Sequence, residues 1–351
     1  MSIRGSNKLW LIMLLLLVSK TGFSNQTTAA RDYPPPGKMV DIGGYKLHIN
    51  CSGKGGPTVV MIAGGGDFSF DWSLVQPKVA QFTRVCSYDR AGLAWSDPGP
   101  TPRTMRQDAY ELHRLLEAAH IKAPYVLIGH SLGGLIARVY EEQYPDEVAG
   151  MVLVDPTHED TVLIFQGKLV RVREGAKGIS IPPAQTMQSN APKPAAAEDI
   201  QQFELNQKMF GAPKTEPPFE KLPADTQAMR LWFRSQPPRS AEGPNFFAEE
   251  LQAMFMARAK TAYQLGDKPL VVLLAKPDAG NPPQGISADD WIRTNKEKRQ
   301  QKVGLADLSR NSRIIVAERS GHHIQLDEPQ LLTEAVRQVV NAVKRRSRLG
   351  P

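Results

Sequence analysis

Gly129-His130-Ser131-Leu132-Gly133 sets a serine among small residues in the spacing G-x-S-x-G. An apolar run, residues 125–128, precedes it, and a helix-forming stretch, 132–143, follows. That strand-to-helix context turns a weak motif into a useful one. Glycines on both sides let the backbone turn sharply enough to lift Ser131 out of the sheet. The amide of Leu132, at the helix start, can then face an oxyanion. Helix capping is the plain alternative role for such a serine.

A serine hydroxyl is a poor nucleophile at its own pKa and needs an adjacent base. Of the seven histidines, His322 lies just beyond the last apolar strand-like run, 313–317, with His323 its neighbour. There its ring could reach Ser131 while a carboxylate holds the other nitrogen. His130, next to the serine, is expected to pack beneath it. Two aspartates stand at the ends of apolar runs: Asp155 after 151–154 and Asp278 after 270–274. Both keep the order serine, acid, histidine. Each also has a structural reading, Asp278 in the turn Pro277-Asp278-Ala279-Gly280 and Asp155 at the start of the segment that follows it.

The elements that must position these groups alternate. Strands are expected at 45–50, 58–62, 85–88, 125–128, 151–154, 270–274 and 313–317, and helices at 105–119, 132–143 and 329–343. Such alternation predicts an α/β fold, a mostly parallel sheet with helices on both faces. Between Pro156 and Lys268 strand patterns vanish and Pro, Gln, Ala and Met become frequent. We read residues 33–156 and 269–346 as two parts of one core, with 157–268 as a helical cap inserted over its active face.

The chain resembles the α/β-hydrolases of the serine esterase and lipase type over nearly all the sequence after residue 24. Besides the serine motif, Ile62-Ala63-Gly64-Gly65-Gly66 is similar to the family's oxyanion loop, and Tyr88-Asp89-Arg90-Ala91-Gly92 to its D-x-R-G segment. Gly321-His322 with Asp327-Glu328-Pro329 is similar to the family's histidine loop, which favours His322 over His323. The usual His-Gly of the oxyanion loop is here Ala63-Gly64, so a histidine side chain is missing, but the Gly65 and Leu132 amides can still form the hole. The resemblance favours Asp278 as the acid, with Asp155 open, since some members carry the acid there. It implies ester or related acyl cleavage without cofactor or metal. The same triad also serves lipases, thioesterases, lactonases, peptidases and carbon-carbon hydrolases, and a hydrolase-like binding protein without turnover is the rival from another class. In the resembled fold the second strand lies beside the fourth, which implies a disulfide between Cys51 and Cys86.

The chain has 351 residues, 41% hydrophobic and 23% charged, which excludes collagen-like and wholly disordered classes. Arg4 and Lys8 precede a ten-residue apolar run, 9–18, half the roughly 20 residues a spanning helix needs. Residues 1–24 therefore read as a cleaved signal peptide, with an uncleaved membrane anchor as the alternative and a periplasmic or secreted location implied. Removing them takes away Arg4, Lys8 and Lys20 and lowers the net charge of +7 to +4, too little to argue for nucleic acid. No stable membrane span is expected after cleavage. Methionines and phenylalanines of the insertion, such as Met209, Phe210, Met254 and Met256, are expected to line an apolar pocket for a small-molecule ester or acyl substrate.

Overall fold

A computed structural model describes residues 33–241, 243–262, 264–277 and 280–350. The expected leader 1–24 and Asp278 lie outside the described residues.

The strands are β1 (Lys38–Asp41), β2 (Lys46–Ser52), β3 (Thr58–Ile62), β4 (Val85–Tyr88), β5 (Tyr125–His130), β6 (Val148–Val154), β7 (Val162–Phe165), β8 (Lys168–Arg171), β9 (Leu270–Ala275) and β10 (Ser312–Ala317). The helices are α1 (Gln76–Val79), α2 (Met105–Ala118), α3 (Leu132–Gln143), α4 (Ala197–Phe210), α5 (Ala224–Arg234), α6 (Phe247–Lys260), α7 (Ala288–Val303), α8 (Ile324–Asp327) and α9 (Pro329–Arg345).

Eight strands form one sheet in the order β1-β2-β4-β3-β5-β6-β9-β10, parallel from β4 to β10 and antiparallel at β1 and β2. The middle strands β3 and β5 are buried along their whole length, as continuous apolar runs covered on both faces must be. Helices supply the cover. α9 begins with Pro329 and buries Leu332, Val336, Val339 and Val340, one stripe at helical spacing. α2 buries Met105, Ala109, Leu112 and Leu116, and the hydroxyl of Thr104 caps it by accepting from the Gln107 amide at 3.0 Å.

Strand order reverses at β3, whose neighbours are β4 on one side and β5 on the other. The crevice outside the carboxyl ends of strands at such a reversal is where α/β sheets place their ligands. The register fixes which residues meet there. Ile62 lies beside Gly129, His130 beside Val154, Val154 beside Leu273, and Ala275 beside Ala317. The residues that follow these positions are the glycine run, Ser131, Asp155, Lys276 and the loop to His322.

The expectation of no strand between 156 and 268 is corrected by the β7–β8 hairpin. Its two-residue turn, Gln166-Gly167, has positive φ at both positions, the twist that suits a tight hairpin. Two further elements escaped the pattern. β1 is a four-residue edge strand, and α7 is so polar that Thr294 is its one buried residue.

Candidate active site

Ser131 sits between β5 and α3 with φ 52° and ψ −120°, a conformation that a residue with a Cβ adopts only when its surroundings impose it. Its amide donates to the Val154 carbonyl at 3.1 Å, and its own carbonyl accepts from the amides of Gly134 at 3.0 Å and Thr157 at 3.1 Å. The first turn of α3 presses on the end of β3 so closely that a Cβ at Gly133 would lie 2.2 Å from the Ile62 carbonyl oxygen. Only glycine permits this approach.

Leu132 opens α3, so its amide has no partner within the helix. Gly65 lies against it: a Cβ at Gly65 would fall 3.7 Å from Leu132 Cδ2. Arg90, buried in the segment after β4, donates to the carbonyls of Ala63 at 2.6 Å and Gly64 at 2.8 Å. In a planar trans peptide the N–H points opposite the preceding C=O, so holding the Gly64 carbonyl on Arg90 turns the Gly65 amide away from Arg90. The loop that lacks the family's histidine is thus oriented by an arginine.

The histidine loop brings His322 back to the same sheet edge. Its Nδ1 donates to Asp155 Oδ2 at 2.6 Å. Asp155 directly follows β6, and its other oxygen accepts from Lys302 Nζ of α7 at 2.7 Å and from the Ala275 amide at 3.3 Å. Burial pushes this carboxyl up, but the His322 hydrogen bond and the Lys302 charge outweigh it and hold it well below the usual carboxylate range. With Nδ1 engaged, Nε2 is the nitrogen left for proton transfer. Among the described residues Ser131 Oγ is not bonded to His322; it lies 3.4 Å from Thr157 Oγ1. Catalytic hydrogen bonds are often loose before substrate binds.

A second buried network lies beneath. His130 Nε2 donates to the His322 carbonyl at 3.0 Å, and its Nδ1 is 3.3 Å from Asp67 Oδ2 in the loop after β3. A Cβ at Gly64 would lie 2.7 Å from Asp67 Oδ2 and 2.8 Å from His130 Nδ1, so this packing also requires glycine. Arg230 of α5 reaches in, pairing with Asp67 at 3.1 Å and with Asp71, while its guanidinium stacks 3.6 Å over Phe219. Burial pushes Asp71 up to about 7. At Asp67 burial is outweighed by His130 and Arg230, and its carboxyl stays below the usual range. His323 packs edge-on against Phe219, and burial with the neighbouring His130 pushes it down to about 4. It is neutral at pH 7 and has a structural environment of its own.

Sequence reasoning thus missed Arg90, Lys302, Arg230, Asp67 and Thr157. Arg90 stood in a quoted motif without a role, and the others carry no local signal. Cys51 and Cys86 are opposite one another in β2 and β4 and their sulfurs are joined. The apolar residues of the insertion behave differently from expectation. Met209, Phe210 and Met256 are exposed, and Met254 and Met256 line a cavity of about 570 Å³ between α3 and α6 whose lining includes neither Ser131 nor His322. Phe68, Phe70, Trp95 and Phe233 pack as a separate aromatic cluster, at ring separations of 5.0 to 5.9 Å.

Comparison with known proteins agrees with this fold. The model of the alpha/beta hydrolase family matches residues 59–335, and the chain belongs to that family. It is 26% identical over 296 residues to an AB hydrolase superfamily protein of Gibberella zeae, covering 82% of this chain and 87% of that one. It is 25% identical over 324 residues to the probable transporter efuK of Hormonema carpetanum, spanning 86% of this chain but 42% of that longer protein. Among solved structures, a thermophilic esterase from Thermogutta terrifontis superposes with a TM-score of 0.55 at 21% identity, covering 85% of this chain and 94% of the esterase. A meta-cleavage product hydrolase from Pseudomonas fluorescens superposes with a TM-score of 0.53 at 17% identity, over 87% and 98% of the two chains.

Proposed function

We propose that the chain is an exported serine hydrolase that cleaves a carboxylic ester or related acyl bond. The observation that carries this reading is the 2.6 Å His322–Asp155 pair at the sheet edge where Ser131 is held in its turned conformation. Ser131 Oγ turns from Thr157 toward His322, whose Nε2 takes its proton as Oγ bonds to the substrate carbonyl carbon. The oxyanion rests on the amides of Gly65 and Leu132. His322 returns the proton to the departing alkoxide, leaving an acyl-serine. Water then repeats the sequence, with His322 again as base, and frees the acid. Asp155 stays ionised throughout, fixing the ring and stabilising the imidazolium. These steps need no cofactor.

In this reading residues 157–268 act as a cap, tied to the oxyanion loop through Arg230. The joined cysteines support an oxidising compartment and hence export. In this reading the substrate is a small, partly apolar ester or acyl compound.

A panel of nitrophenyl esters of increasing acyl length tests the proposal. Turnover by the wild type that disappears in Ser131→Ala is the expected result, and the preferred length then defines the acyl pocket. Turnover that survives in Ser131→Ala would remove the nucleophile assignment.

A further inference from the structure

Beside the His322–Asp155 pair is a cavity of about 260 Å³ lined by both residues and by Lys276, Lys298, Arg299 and Lys302. Asp155 is its one carboxylate among the described lining residues, and it is already shared between His322 and Lys302. The neighbouring acid of α7, Glu297, is engaged by Arg171 at 2.6 Å. Arg299 gives one of its donors to the Ala275 carbonyl, and five donors in a planar fork leave others for a ligand. Lys298 and Lys276 have no carboxylate partner among the described residues.

We propose that this cavity binds an oxyanion, a carboxylate or a phosphate, beside the acid and base of the site. Four cations around one shared carboxylate leave an excess of positive charge in a concave space, which focuses the field on an anion. The half-buried Lys298 feels the same excess. Burial and the Lys302 charge both push its amine down, a cost that a bound anion would relieve. The volume suits a single anionic group. That group arrives either on the ester substrate or as a free ion, and only the substrate route rests on the hydrolase reading above.

The test uses the full mature chain, with inorganic phosphate as the probe and ionic strength held constant with sodium chloride. Thermal unfolding of wild type and of Ser131→Ala should rise saturably with phosphate. The double variant Lys276→Gln with Lys298→Gln should bind it at least tenfold more weakly, whereas Lys276→Arg with Lys298→Arg should keep the affinity. In parallel, kcat/KM for a nitrophenyl hemisuccinate is compared with that for the neutral butyrate. If the ratio falls about tenfold in the Gln pair with butyrate turnover retained, the site serves a substrate anion. If phosphate binding is lost while the ratio is unchanged, it serves a free anion. If phosphate gives no saturable effect, or the Gln pair binds it as wild type does, the proposal is overturned, whatever becomes of ester turnover.

Discussion

The amide of Ser131 donates to the carbonyl of Val154 at 3.1 Å, one residue before Asp155. Ser131, the nucleophile proposed above, and the carboxylate that holds His322 are therefore linked by one backbone contact between the ends of β5 and β6. The Thr157 amide closes the arrangement from the other side by donating to the Ser131 carbonyl. A displacement of either strand end would move both groups together.

Asp155→Asn should lower turnover of an activated ester by about 10⁴, because an amide at that position favours the wrong histidine tautomer. Asp278→Asn should stay within about twofold. Steady-state kinetics of the two variants side by side decides the matter, and a large loss at position 278 with little at 155 would reverse the assignment.

Arg90→Met should lower kcat by about 10²-fold with KM changed little, since the Ala63 and Gly64 carbonyls lose their anchor and the Gly65 amide its orientation. A raised KM with kcat unchanged would mean that Arg90 shapes binding rather than the oxyanion hole.

The charge state of Asp155 has a stability signature. Its carboxyl ionises in the fold below its ordinary value of 3.8, so the stabilisation is complete above about pH 4 and is lost as pH falls through the lower folded value. The difference in Tm between wild type and Asp155→Asn should narrow as pH falls below about 4. A gap that widens below about pH 4 would contradict this sign.

Arg230→Met leaves Asp67 and Asp71 buried without their cation. Breaking a buried ion pair from one side costs about 3–5 kcal/mol. Chemical denaturation should show a loss of that order. The triple variant Arg230→Met, Asp67→Asn, Asp71→Asn should recover part of it, and no recovery would place the role of Arg230 in packing on Phe219 alone.

The sequence made the parallel sheet, Ser131 and His322 legible because each is encoded locally: buried strands as apolar runs, the serine by flanking glycines, the histidine by its place after the last strand. What lay beyond it is long-range. Lys302 meets Asp155 across 147 residues and Arg230 meets Asp71 across 159, each from a helix with no motif around it. α7 gave no apolar stripe because one of its faces meets the site through lysines and arginine instead of a core. The contact between Asp155 and the His322 ring spans 167 residues, and no spacing in the sequence supplies it.

The most direct test of an activated serine is labelling of the purified protein with a fluorophosphonate, followed by intact mass and peptide mapping. One adduct is expected on Ser131 in the wild type and none in Ser131→Ala, with labelling slowed by orders of magnitude in Asp155→Asn. A folded wild type that takes no label, or an adduct that persists in Ser131→Ala, would contradict it.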